Sequence, residues 1–188
     1  MRTLITAGAI LALAGTATAQ SEVIDVSVEN FGDPAEVVLD TTFDLPAIAS
    51  IDQVSIDLAH SWAADIELFL TSPAGDIFTI TDDNGSGVLL GDGGSLLAGT
   101  ARYDFVAPAG NGNWGDFGFG DTAPAGLYDA DDWTSGPFAA GTWSLFLADD
   151  ANGDDGAVGR IVVEYTIPAP ASLALLGLGG LAVTRRRR

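Results

Sequence analysis

Residues 60–76 read HSWAADIELFLTSPAGD. In the DIELFL portion Ile66, Leu68 and Leu70 recur at every second position. An extended chain turns successive side chains to opposite faces, so this spacing puts the three on one face of a half-buried strand. Ser72-Pro73-Ala74-Gly75 follows and suits a tight turn, because Pro fixes φ and Gly is free to take φ > 0. Just upstream, VSIDLAH places Val54, Ile56, Leu58 and His60 on one face in the same way. The stretch therefore reads as the end of one strand, a short link, a second strand and a turn.

The same pattern extends outward from there. In TWSLFL the alternating set is Trp143, Leu145 and Leu147, and in RIVVEY it is Ile161, Val163 and Tyr165. VIDVSVEN and EVVLDTT are two further expected strands. SPAGD, DDNGSG and DDANGDDG read as turns. No segment of the body has the period of an amphipathic helix, and no internal repeat is visible. Many short strands without helices predict an all-β, two-sheet antiparallel sandwich. Residues 107–141, where Gly, Pro and Asn interleave with Trp114, Phe117 and Phe119, read as a long ordered loop.

Two segments together carry a resemblance. The first runs from His60 through Asp65, Ile66, Leu68 and Leu70 to Ser72-Pro73 and Gly75. The second, GTWSLFLADDANGDDGAVGRIVVEY, supplies Gly141, Trp143, Leu145, Leu147, Asp149 and Gly156 before a final strand. Their order and spacing resemble the proprotein convertase P domain (P/Homo B) over roughly residues 50–166. Ser61 stands where that pattern has Thr, Ala64 where it has Gly, Ile66 where it has Leu and Asp76 where it has Thr. The resemblance implies a jelly-roll β-sandwich, with calcium bound in some bacterial members. In the convertases the domain follows a separate subtilisin-like protease domain, which has no counterpart here.

The chain has 188 residues, enough for one domain with a real core. Residues 1–19 read as a secretory signal peptide, with Arg2 as the positive n-region and Leu4 to Leu13 as the apolar h-region. Ala17-Thr18-Ala19 is the small-residue site, with cleavage expected after Ala19. The sandwich is expected over 22–167. At the other end, residues 171–184 form a run too short for an ordinary helical span, which needs about 20 residues. Arg185, Arg186, Arg187 and Arg188 follow, and the positive-inside rule reads them as a topology label. Pro168-Ala169-Pro170, the short hydrophobic helix expected after it and the Arg cluster together resemble a PEP-CTERM sorting tail. That resemblance implies an exosortase-like membrane protease as partner, processing near Pro168 and Pro170, transient membrane anchoring and a cell-surface or extracellular destination. Ala169 stands where the motif has Glu.

Charge and residue types narrow the chemistry. All 26 acids lie between Glu22 and Glu164 against only Arg102 and Arg160, a net charge of −24 for that segment. Such a body repels nucleic acid and anionic lipid. The chain has no Cys, so thiolate chemistry and disulfides are excluded. His60 is the only His. On an apolar strand face it reads as structural, with Asp65 as its expected partner, and Ser61 beside it points to the opposite face. No catalytic residues are expected.

Calcium is the expected cofactor, because it takes six to eight oxygen ligands and is often held by Asp/Asn/Gly loops. The candidate ligands are Asp149, Asp150, Asn152 and Asp154 in one loop, Asp82 and Asp83 in another, and Asp65. Ordinary solvated turns are the competing reading of the same loops. The function these features imply is an exported, non-catalytic surface or extracellular-matrix module, adhesive or structural, with an extracellular polysaccharide or surface protein as its counterpart. The alternative is an accessory P domain of a subtilisin-like protease system, or a weak hydrolase.

Overall fold

The computed structural model describes residues 17–169. It is built from two sheets. The seven-stranded sheet A contains β1 (Thr18–Phe31), β3 (Ser50–His60), β6 (Leu89–Leu90), β7 (Ala101–Val106), β8 (Thr122–Ala123), β9 (Gly126–Asp129) and β11 (Gly156–Ile167). The four-stranded sheet B is ordered β2 (Glu36–Leu45), β10 (Gly141–Asp149), β4 (Ile66–Thr71), β5 (Ile77–Thr81). No described helix is long and apolar enough to cross a membrane.

Period-two alternation predicts which residues meet between the sheets. Val54, Ile56 and Leu58 of β3, and Ile161 and Val163 of β11, are fully buried from sheet A. Ile66, Leu68 and Leu70 of β4, and Trp143, Leu145 and Leu147 of β10, are fully buried from sheet B. Each such side chain contributes about 1.5–3 kcal/mol of burial free energy. The turn at 72–76 is held by Ser72, whose Oγ accepts from the amides of Ala74 and Asp76 and donates to the Asp76 carboxylate. Gly75 sits at φ +90°, as the turn requires.

Two expectations change. The sandwich is not wholly antiparallel, because β6 pairs with β8 and β7 with β9 in parallel. Residues 107–141 are not one continuous loop, since they carry β8, β9 and a single 3-10 turn at Trp114–Asp116. The bond after Ala19, where signal cleavage is expected, lies near the start of β1, and Ala17 to Gln20 are all exposed. The compact β unit runs Ala19–Ile167. Pro168 is exposed immediately after β11. The short C-terminal helix, Pro170 and Arg185–Arg188 lie outside the described residues.

Strand register gives the β unit two distinct ends. His60 closes β3 opposite Gly156, which opens β11, and Asp149 closes β10 opposite Ile66 and Glu36. At the other end Ser50 pairs with Thr166 and Leu45 with Gly141. Ala19, Gln20 and Ser21 line an open hollow there with Glu164. Both ends of the unit's chain therefore emerge on that side, about 35 Å along β11 from Gly156.

Candidate functional site

The end bearing His60 and Asp149 concentrates the chemistry. Both side chains are fully buried, with His60 Nε2 2.7 Å from Asp149 Oδ2. The ring N–H direction is not aimed at that oxygen, so Asp149 Oδ2 is a buried acceptor without an aligned donor. Asp149 Oδ1 accepts from the Ala151 amide at 3.0 Å. His60 Nδ1 lies 2.8 Å from the Trp62 carbonyl oxygen and 3.1 Å from the Trp62 amide nitrogen. The main chain of Trp62 therefore anchors the imidazole in either tautomer, its carbonyl accepting from a protonated Nδ1 and its amide donating to an unprotonated one.

Phe31 stacks on the imidazole at 5.3 Å and 18°. Two glycines permit this packing. A Cβ on Gly156 would stand 2.4 Å from both His60 Cδ2 and the Phe31 ring, and one on Gly32 would stand 2.6 Å from Asp149 Oδ2. Gly32 also sits at φ +107°, so its backbone closes over Asp149 and the Asp154 carbonyl as only glycine does comfortably.

Two further carboxylates border Asp149. Asp65, at the end of a 3-10 turn, has its carboxyl pushed up from 3.8 to about 7. Burial is the leading cause, followed by the hydrogen bond to Asp154 and then the negative charges of Asp154 and Asp149, with His60 opposing. A carboxyl–carboxyl hydrogen bond needs one proton between the two, so it adds to the preference that burial gives the acid form. Asp154 Oδ1 also accepts from Ser61 Oγ at 2.9 Å, and Ser61 Oγ accepts from the Asp155 amide. Ser61 thus serves the acid loop and does not face His60.

A second group forms where the loop after β5 meets the loop after β10. Burial raises the Glu67 carboxyl first, and the charges of Asp150, Asp82 and Asp83 raise it further. Asp82 is raised by burial, then by Asp83 and Asp150. Asp131 accepts from the Asp82 amide at 2.9 Å and braces this loop from outside.

The seven residues expected to bind metal therefore separate three ways. Asp65, Asp149 and Asp154 come together, as do Asp82, Asp83 and Asp150. Asn152 stands apart, exposed, its Oδ1 accepting from the Ala35 amide at 2.9 Å. His60 pairs with Asp149 and not with Asp65, a correction imposed by sheet register: β10 brings Asp149 opposite Ile66, beside the end of β3. Sequence reasoning missed Glu67, which the strand period places on the face of β4 opposite Ile66, Leu68 and Leu70. It also missed Gly32 and Phe31, for which no local signal exists.

No group of three or more His, Cys, Asp or Glu stands in ready metal-holding geometry among the described residues. The donor set nevertheless fits a hard divalent cation. Its ligands would be carboxylates and main-chain carbonyls, the Asp65–Asp154 contact currently depends on a proton, and Asp149 Oδ2 faces His60 Nε2 at 2.7 Å without an aligned hydrogen bond.

Residues 166–188 match the PEP-CTERM protein-sorting motif. The chain is thus an exported protein sorted by its C-terminus. The match begins on Thr166, one residue before β11 ends, so the sorting segment follows the β unit without a linker. No curated protein matches the chain. Among solved structures, the serine protease of Aeromonas sobria is similar at 15% identity and TM-score 0.41, over 81% of this chain and 27% of that one. The same protease in complex with its chaperone (ORF2) is similar at 16% identity, with the same TM-score and the same coverage. Dimeric latent PorU from Porphyromonas gingivalis is similar at 13% identity and TM-score 0.33, over 87% of this chain and 14% of that one. The chain spans about a quarter, or less, of the length of these structures.

Proposed function

We propose that the protein is a non-catalytic surface or extracellular-matrix module, adhesive or structural, whose β unit is delivered through its C-terminal tail and held at its acidic end by calcium. The observation that carries this reading is the sorting motif starting where the closing strand ends. A unit completed by β11 needs nothing from the tail for its core, so the tail is free to act as an address. The P-domain-like identity of the body is supported by the two sequence motifs around His60 and Trp143. A non-catalytic role is supported by the burial of His60, whose imidazole reaches Trp62 and Asp149 and no solvent.

The test is deletion of residues 168–188 in a host that has the sorting enzyme. The shortened protein should be released to the medium, fold, and leave the cell-surface fraction that holds the full chain. Equal surface retention of both forms would refute sorting through the tail.

A further inference from the structure

Phe119 is the most exposed large apolar side chain described, at 80%. It is nevertheless fixed in place. One side of its ring lies against Gly87, where an added Cβ would fall 2.3 Å from ring carbon Cδ2. Its other protein neighbour is Trp62, an edge-to-face contact at 5.5 Å and 81°. The turn that carries the ring is tied down by main-chain bonds from the Gly120 amide to the Gly87 carbonyl and from the Leu89 amide to the Asp121 carbonyl, both 2.8 Å. The Asp121 carboxylate caps that turn by accepting from the Gly118 amide at 2.9 Å. An exposed ring on a braced turn loses little freedom when a ligand covers it.

The surroundings define what could cover it. Trp62 lies between His60 and Asp65, and its carbonyl accepts from the Asp65 amide, so the aromatic pair adjoins the acidic end. The surface there offers many hydrogen-bond acceptors and net negative charge. A neutral polyhydroxylated ligand supplies donors without repulsion, whereas an anionic polymer is repelled. A lone exposed ring is also small beside the patches of several hundred Å² that protein partners cover. The C–H-rich face of a hexopyranose has the size of one phenyl ring. Within the β unit the site lies at the end opposite the pairing of Ser50 with Thr166.

We infer that Phe119, braced edge-to-face by Trp62, is the stacking surface for a neutral hexopyranose unit of an extracellular glycan. This deepens the reading of the chain as a displayed module and rests on it for its biological setting. The binding itself is testable without it.

The experiment is a titration of the purified full-length chain with cellohexaose, mannohexaose, chitohexaose and xylohexaose, followed by saturation-transfer NMR, in calcium and in chelator. At least one hexopyranose oligomer should bind, with transfer strongest to the axial C–H protons of one sugar face. Phe119→Ala should weaken binding about tenfold or more, and Phe119→Tyr should keep it. Ile77→Ala, which removes an exposed side chain from the hairpin at the opposite end, should change nothing. The proposal is overturned if no hexopyranose oligomer binds, if only the pentose oligomer binds, or if Phe119→Ala binds as well as wild type at an unchanged melting temperature. Because the assay does not involve the tail, its failure leaves the sorting experiment standing, and the converse also holds.

Discussion

The balance at the acidic end turns on a single proton. Asp65 holds its proton up to about pH 7 in the folded protein against an ordinary value of 3.8. The native state therefore binds a proton that the unfolded chain releases, and the Asp65 contribution to stability falls as pH rises from about 4 to about 7. Glu67, Asp82 and Asp131, all raised chiefly by burial, act in the same direction. A divalent cation would take over the proton's role. In chelator, thermal unfolding should thus show the melting temperature dropping across that window, with Asp65→Asn shallower in slope and more stable than wild type at pH 7. Calcium should raise the wild-type melting temperature more at pH 7 than at pH 5, even in about 0.5 M NaCl, where the Debye length is only about 4 Å. No calcium increment at either pH would refute the cation. Close packing beside this group gives a second check: Gly156→Ala forces a methyl into the Phe31–His60 stack and should cost about 1–3 kcal/mol in denaturant unfolding. The sequence shows that His60 faces the core, but the identity of its partner follows from strand pairing between residues 89 apart, which no local spacing encodes.

At the scale of elements, β10 joins β2 to β4 and carries the clearest consequence of the period-two reading. Trp143 and Phe146 lie three residues apart on opposite faces of it. Trp143 is fully buried against Phe78 and Phe138, while Phe146 is partly exposed on the outer face against Phe69. Trp143→Ala should therefore cost about 3–5 kcal/mol. Phe146→Ala should cost about 1 kcal/mol. Equilibrium unfolding of both variants measures the contrast, and equal losses would mean that the assigned faces are wrong. Long strands such as β3, β4, β10 and β11 were legible because six or more positions sample the alternation. β8 and β9 were not, since two and four residues are too few to show a period. Their parallel pairing depends on where β6 and β7 already lie. The Ser72–Asp76 turn was legible because Pro73 and Gly75 encode it locally.

At the scale of the molecule, two properties were legible from composition and remain the frame of the account: an acidic body of net −24 and a basic C-terminal cluster. Part of the first gathers at one end of the β unit only after folding, when the loops after β5 and β10 bring Glu67, Asp82, Asp83 and Asp150 together. The second belongs to a sorting motif that begins as the last strand ends. On the proposed reading the body is the passenger and the tail is its address. The most direct test is the intact mass of the protein recovered from the surface and medium of a host containing the sorting enzyme. The account predicts a mature chain ending near Pro170 and lacking Arg185–Arg188. Full-length protein that still carries the four terminal arginines would contradict it.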